Sequence, residues 1–281
     1  MTTADTKLLA VLGHPIAHSK SPAMHTVWLR RYGIPARYLA FDVLPEDLPH
    51  AIRGLQALGA IGCNITLPHK EAALALCHDV TPEAKAIGAV NTLVFHQGTI
   101  MGHNTDPVGF WQGLVTQAPC PVPHRPVVIL GAGGAARGVV AALTTLLGAP
   151  LLVLNRTLGR AEALRALAPT LMTGPLDTPL PPDAQMVVNT LSSGAVVPDL
   201  SGLPADCLLY DLSYNPPVTP FLAAGQRRGL RGINGAAMLA HQGAAAFALW
   251  FPQTPAVDGE VMGVINGQNN PKNPMSNPMS I

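Results

Sequence analysis

Short apolar blocks and longer amphipathic stretches alternate along the chain, and their spacing sets the elements it predicts. Leu8 to Leu12, Arg37 to Asp42, Ile61 to Ile65 and Val90 to Phe95 are β-rich runs of strand length. Between them, Pro22 to Tyr32 opens on a proline suited to a first helical turn, and Leu48 to Leu58 carries apolar residues at helical spacing. Strands alternating with helices predict parallel strands joined by crossover helices. The pattern resumes with a buried strand at Val127 to Leu130, a helix at Gly134 to Leu147, a strand at Leu151 to Leu154 and a helix at Leu158 to Ala168. Further strands are predicted at Met186 to Asn189 and Leu208 to Tyr210, and the alanine-rich run Ala236 to Trp250 is strongly helix-forming.

Between these series, Gln117 to Pro126 holds Pro119, Pro121, Pro123 and Pro126, a density that forbids helix interior and central strand alike. The expectation is α/β in two domains. The first spans 1–106 and is rejoined by a helix at about 236–262; the second spans 107–235 and is a Rossmann-like doubly wound parallel sheet. From Asn266 the chain is mostly Asn, Pro, Ser and Met, so 266–281 is expected to be a tail without a core to join.

Composition narrows the partners. Of 281 residues, 48% are hydrophobic and 12% charged, as expected of a largely buried α/β architecture. Lys and Arg number 17 against 16 Asp and Glu, which leaves almost no net charge to hold nucleic acid by counterion release. Cys63, Cys77, Cys120 and Cys207 lie far apart with no C-x-x-C pair or zinc-finger spacing, so they read as reduced thiols and no metal is expected. Met1 to Lys7 has no apolar run after a basic start, and Gly148 and Pro150 break the uncharged stretch Gly138 to Leu154. A cytoplasmic protein with no membrane partner is expected.

Candidate chemistry sits at strand ends. Gly131-Ala132-Gly133-Gly134-Ala135-Ala136 follows a buried strand and opens a helix. There Gly131 permits a tight turn, Gly133 admits a pyrophosphate to the backbone, and the amides from Gly134 and Ala135 onward point at the anion. The end of the second strand decides which dinucleotide fits, because an NAD site usually places a carboxylate there for the ribose 2′-hydroxyl. This chain has Asn155-Arg156-Thr157 and then Arg160. A guanidinium at Arg156 can stack on adenine and pair with a 2′-phosphate, with Arg160 as a second fork, so NADP is the expected cofactor.

Polar islands also lie in the first half. Ser19-Lys20-Ser21-Pro22 crowds two hydroxyls at a helix start; Asn64, Thr66 and Lys70 follow the third strand, where open α/β sheets bind ligands. Asn91-Thr92 and Asn104-Thr105-Asp106 add amides, hydroxyls and a carboxylate. Neutral hydrogen-bonders beside Lys70 and Asp106 suit a small polyol acid.

These islands resemble the shikimate dehydrogenase family along nearly the whole chain. The matches are Gly13-His14-Pro15-Ile16-Ala17-His18-Ser19-Lys20-Ser21-Pro22, Asn64 to Lys70, Gly88-Ala89-Val90-Asn91-Thr92, Asn104-Thr105-Asp106, the glycine loop, Asn155-Arg156-Thr157 and Gln242. The sequence departs from the family pattern at His14, where Asn is commoner, and at Ala237, where a second glycine usually follows Gly235. The resemblance implies reversible, NADPH-dependent reduction of 3-dehydroshikimate to shikimate, on the route to chorismate and the aromatic amino acids. It further implies that Ser19 and Ser21 hold the substrate carboxylate and that Thr66, Asn91 and Asp106 bind ring hydroxyls. Asn64, Tyr214 and Gln242 would be further substrate contacts, Leu212 and Gly235 would line the nicotinamide, and Lys70 with Asp106 would be catalytic. The assembly implied is a monomer or homodimer. Two readings compete: a quinate/shikimate dehydrogenase of broader specificity, and a non-catalytic relative that binds ring acid or nucleotide.

Overall fold

The computed structural model of the chain describes residues 6–118, 124–147, 150–191 and 197–268. The first sheet takes β1 (Lys7–Gly13), β2 (Ala36–Asp42), β3 (Gly62–Ile65), β4 (Asp79–Val80), β5 (Thr92–His96) and β6 (Thr99–His103), with α1 (Ser21–Arg31), α2 (Leu48–Ala57) and α3 (Pro82–Ile87) between them. Helix α4 (Asp106–Gln117) leads to the second sheet, built from β7 (Val127–Leu130), β8 (Leu151–Leu154), β9 (Met172–Gly174), β10 (Met186–Asn189), β11 (Leu208–Asp211) and β12 (Arg231–Asn234). Its helices are α5 (Gly134–Leu147), α6 (Leu158–Glu162) and α7 (Pro220–Arg227), and the described chain closes with α8 (Ala236–Trp250) and α9 (Gly259–Ile265). Pro119, Pro121, Pro123, Cys120 and the tail from 269 onward lie outside the described residues.

In the second sheet the order is β12-β11-β10-β7-β8-β9, and every pairing is parallel. Counted from β7 as the first strand, this is the 3-2-1-4-5-6 order of a doubly wound dinucleotide fold, whose switch point lies between β7 and β10. Successive residues of β7 feed opposite faces: Val127 and Ile129 enter one core, Val128 and Leu130 the other. A strand buried on both sides reads as an unbroken apolar run, which is why it is legible in the sequence.

The first sheet departs from the all-parallel expectation. Its order is β2-β1-β3-β5-β6-β4, and β5 runs antiparallel to both β3 and β6. Hairpin β5-β6 turns on Gln97 and Gly98, both at positive φ (47° and 79°), a turn whose Gln-Gly signal is weaker than Asn-Gly. The reversal has a consequence for chemistry. Because Asn64 registers with Thr92, and Thr92 with His103, the start of β5 and the end of β6 meet the carboxyl ends of β1 and β3.

Two helices differ from expectation. The one predicted through Ala168 is α-helical only to Glu162 and continues as a 3-10 turn over Ala163–Ala166. The one expected over about 236–262 is divided into α8 and α9, because Pro252 and Pro255 remove the donors needed to continue. Helix α8 leaves the second sheet at Gly235 yet sends Ala240, Ala244 and Phe247 into the core that covers Leu9, Val11 and Trp28 of the first. Trp250 Nε1 fastens its end by donating to the carbonyl of Leu93 at 3.0 Å. No helix among the described residues is long and apolar enough to cross a membrane.

That core contains one titratable group without a polar partner. His25 stacks on Tyr38 at 4.1 Å and meets the edge of Trp28 at 5.2 Å, and neither ring nitrogen has a hydrogen-bond partner. Burial lowers its pKa from 6.5 to about 3. The folded state therefore keeps the ring neutral where the unfolded chain takes up a proton. Its contribution to stability is complete above pH 6.5 and is lost as pH falls from there toward 3. His25→Phe is expected to flatten the acid limb of a stability-versus-pH curve by one proton's slope, read from urea midpoints across that range; an unchanged slope would refute the account.

Candidate active site

Lys70 and Asp106 form the centre of the site. The turn after β3 is held by Thr66 N donating to the carbonyl of Leu12 at 2.9 Å and by His69, whose ring Nε2 lies 2.8 Å from the carbonyl of Val43. Lys70 Nζ then reaches Asp106 Oδ2 at 2.6 Å, with the carboxylate side chain 3% exposed and the lysine 15%. Asp106 is the first residue of α4, and its other oxygen accepts from Asn91 Nδ2 at 2.8 Å. A carboxylate this buried costs several kcal/mol, on the order of the penalty for any desolvated ion, unless it is paired and hydrogen-bonded. Both conditions are met here.

Behind the pair runs a chain of amides and hydroxyls. Asn91 Oδ1 accepts from Thr105 N and from Thr92 Oγ1 at 2.8 and 2.9 Å. Asn64 donates to the carbonyl of Asn91 and to Thr92 Oγ1, and accepts from Tyr38 Oη at 2.6 Å. Both amide hydrogens of Asn64 are thus engaged within the protein. Tyr38 and Tyr214 each have a raised pKa, burial being the main cause; hydrogen bonds with Ser21 oppose it in the first, and with the Lys20 backbone and the Ser19 side chain in the second.

A cavity of about 470 Å³ gathers Ser19, Ser21, Asn64, Thr66, Lys70, Asn91, Asp106, Tyr214 and Gln242 on its walls. Ala135, Leu212 and Gly235, from elements of or next to the second sheet, also line it. Ser21 begins α1, and Ser19 Oγ accepts from Ser21 N at 3.3 Å, so neither serine is the N-cap; that position belongs to Lys20. Gln242 Oε1 stands 3.3 Å from Asn91 Nδ2. Gly235 and Leu212 touch so closely that a Cβ at position 235 would collide with the carbonyl of Leu212. The segment after β11 is braced by Asp211, which accepts from Ser213 N, Thr219 Oγ1 and Asn189 Nδ2.

The glycine turn lies at the switch point, with Ala135 also on the cavity wall, and the other candidates lie just past β8. Gly131 has φ of 104°, and Gly133 faces open space, with nothing within 4 Å of an added Cβ. Gly134 starts a helix of 14 residues, so the amides of Gly134 and Ala135 belong to an N-terminus that suits a pyrophosphate. Ala132 is buried beneath the turn. Asn155, Arg156, Thr157 and Arg160 lie just past β8, and that stretch carries no carboxylate. Asn155 Nδ2 donates to the carbonyl of Thr157 at 2.8 Å. This donor set fits a dinucleotide with a 2′-phosphate. Among the described residues, no cluster of His, Cys, Asp and Glu could hold a metal ion.

Sequence reasoning missed how α5 meets the central pair. A Cβ at Gly134 would lie 3.1 Å from Lys70 Cβ, and one at Gly138 would lie 2.8 Å from Asp106 Cβ. Spaced four apart, the two glycines present one helical face to both catalytic candidates. The signal was in the chain, but only as two glycines whose counterpart lay dozens of residues away. Glu71 and Arg137, which also meet across this gap, were likewise passed over.

Residues 11–93 match the family model for the shikimate dehydrogenase substrate binding domain. A shikimate dehydrogenase (NADP(+)) from Methylobacterium radiotolerans is 45% identical over 263 residues, covering 89% of this chain and 93% of its own. One from Symbiobacterium thermophilum is 42% identical over 269 residues, covering 90% and 91%. The crystal structure of shikimate 5-dehydrogenase from Thermus thermophilus, in complex with NADP(H) and shikimate, is similar with a TM-score of 0.82 and 38% identity over 94% of this chain and 99% of that one.

The packing of α5 on Asp106 makes a direct prediction. Gly138→Ala is expected to cost ~1–3 kcal/mol of stability, the usual range for overpacking, and to lower turnover by shifting Asp106. Gly54→Ala on α2, where an added Cβ meets nothing within 4 Å, is the control. Denaturation midpoints and kcat for both variants decide it, and equal behaviour would remove the claimed contact.

Proposed function

The chain belongs to the shikimate dehydrogenase family, and from that premise we propose that it interconverts 3-dehydroshikimate and shikimate, with Lys70 and Asp106 serving the reacting oxygen. It is an NADP-dependent oxidoreductase acting on a CH-OH group, in the biosynthesis of aromatic amino acids. The observation that carries the residue assignment is the 2.6 Å Lys70–Asp106 pair on the wall of a cavity shared with Ala135, Leu212 and Gly235.

In this reading the hydroxyls of Ser19 and Ser21 hold the substrate carboxylate, Thr66 and Asp106 take ring hydroxyls, and Asn91 takes one in exchange for one of its bonds to Thr105 and Asp106. Asn64, its own amide hydrogens engaged, shapes the wall, while Tyr214 and Gln242 bound the ring. Bound NADPH supplies the hydride, and NADP+ accepts it in the reverse direction. As the carbonyl is reduced its oxygen gains negative charge, and the Lys70 ammonium both stabilises that charge and donates a proton to it. In oxidation the hydroxyl proton returns to the same amine. Asp106 holds the amine in line and accepts from a substrate hydroxyl.

The nicotinamide end is assigned to Leu212 and Gly235, the pyrophosphate to Gly131, Ala132, Gly133, Gly134 and Ala135, and the 2′-phosphate to Asn155, Arg156, Thr157 and Arg160. Shikimate rather than quinate is favoured by the paired serines, and NADP rather than NAD by Arg156 at the end of β8. Residence in the cytoplasm, as a monomer or homodimer, belongs to the same proposal. The cytoplasmic part of it is supported by Cys63, Cys77 and Cys207 standing as free thiols. Burial raises the thiol of Cys77 to about 11, which keeps it out of its reactive form.

Lys70→Ala is expected to lower kcat by roughly a hundredfold or more, the scale of a lost general acid, while the KM for shikimate changes little. Steady-state rates of NADP+ reduction measure both constants. Unchanged turnover with weakened binding would assign Lys70 to binding alone. Parallel rates with quinate and with NAD+ test the specificity.

A further inference from the structure

Glu71 follows the catalytic lysine in the chain, yet its carboxylate is held from the other side of the gap. Arg160 on α6 donates to its Oε1 at 2.7 Å, and Arg137 on α5 brings Nε to 3.9 Å from its Oε2. The two arginines differ in commitment. Arg137 is 19% exposed and also donates to the carbonyl of Ile87 at 3.0 Å, so it is fixed in the interface. Arg160 is 55% exposed, and its one ion pair among the described residues is with Glu71. Arg156, four residues earlier, has no ion-pair partner among the described residues.

An anion approaching the end of β8 therefore meets one uncommitted guanidinium and one already bound to a carboxylate. A phosphate monoester carries close to two charges and makes strong charge-assisted bonds to guanidinium, whereas an exposed carboxylate pair is weak. Glu71 and a phosphate on the same fork would also repel each other. Displaced from Arg160, the Glu71 carboxylate has a second cation in place, since Arg137 already stands beside its other oxygen.

We propose that Glu71 is a specificity-determining residue for the dinucleotide: it is the resident anion of Arg160, and the 2′-phosphate must displace it. A dinucleotide with a bare 2′-hydroxyl leaves the pair intact. Glu71 thus weakens NADP binding selectively, setting how far the protein prefers it over NAD. This inference rests on the NADP site assigned above.

Calorimetric titration of NADP+ and NAD+ into the wild type, Glu71→Gln, Arg160→Gln and the double variant tests it. Glu71→Gln is expected to bind NADP+ about two- to fivefold more tightly, the range set by an exposed ion pair, with NAD+ affinity unchanged. Glu71→Asp, whose carboxylate is drawn back by one methylene, should shift in the same direction. In the Arg160→Gln background the gain should vanish, whereas a general effect of removing a negative charge would persist there. An unchanged or weaker NADP+ affinity in Glu71→Gln, or a gain that survives without Arg160, overturns the proposal. A wild type with no preference for NADP+ brings down the cofactor assignment and this proposal together; a clear preference that Glu71→Gln leaves unaltered brings down the proposal alone.

Discussion

A buried carboxylate that must be neutralised organises this molecule. Asp106 is all but removed from solvent, so it needs a cation on one oxygen and a donor on the other, and Lys70 and Asn91 meet those needs. Removing Lys70 would leave a desolvated charge without its counter-ion, a change that typically costs several kcal/mol, about 3–5. The demand is what ties together three loops distant in sequence. Each is in turn fixed by a strand end, and the antiparallel course of β5 and β6 brings two of them to the rim where β1 and β3 finish.

The same pair also sets the separation of the two halves. Helix α5 offers glycines to Lys70 and Asp106, so its backbone lies against their side chains without intervening bulk. In the proposed reading, chemistry and nucleotide recognition thereby share a wall: the helix whose first amides suit a pyrophosphate is the one that packs against Lys70 and Asp106. Leu212 and Gly235 close the opposite side, braced through Asp211.

Much of the architecture was legible because strands buried on both faces announce themselves. Val127 to Leu130 and Leu151 to Leu154 needed no tertiary knowledge, and the glycine turn between Leu130 and Gly134 followed from its position. The β5-β6 hairpin was less visible, since Gln97-Gly98 is a quiet turn, and strands β4, β9 and β12 are too short or too polar to declare a period. At the site, polarity at strand ends identified which residues gather around the cavity, but not how their atoms are spent. Asn64 looks like a ligand donor in sequence and is occupied by Tyr38, Asn91 and Thr92 in space. Arg160 looks free and is paired with Glu71. Sequence reports residue types; partners 26 to 89 positions away are a property of the fold alone.

The path of α8 has a consequence for how the protein is made. The core that encloses Trp28 and Val11 is closed by Phe247 and Ala244, which leave the ribosome more than two hundred residues later. The nucleotide half is contiguous and can mature as soon as it emerges, while the half synthesised first waits with one apolar face uncovered. Nascent chains of this design are most exposed to aggregation and to chaperone capture at their oldest segment, and that segment is finished last.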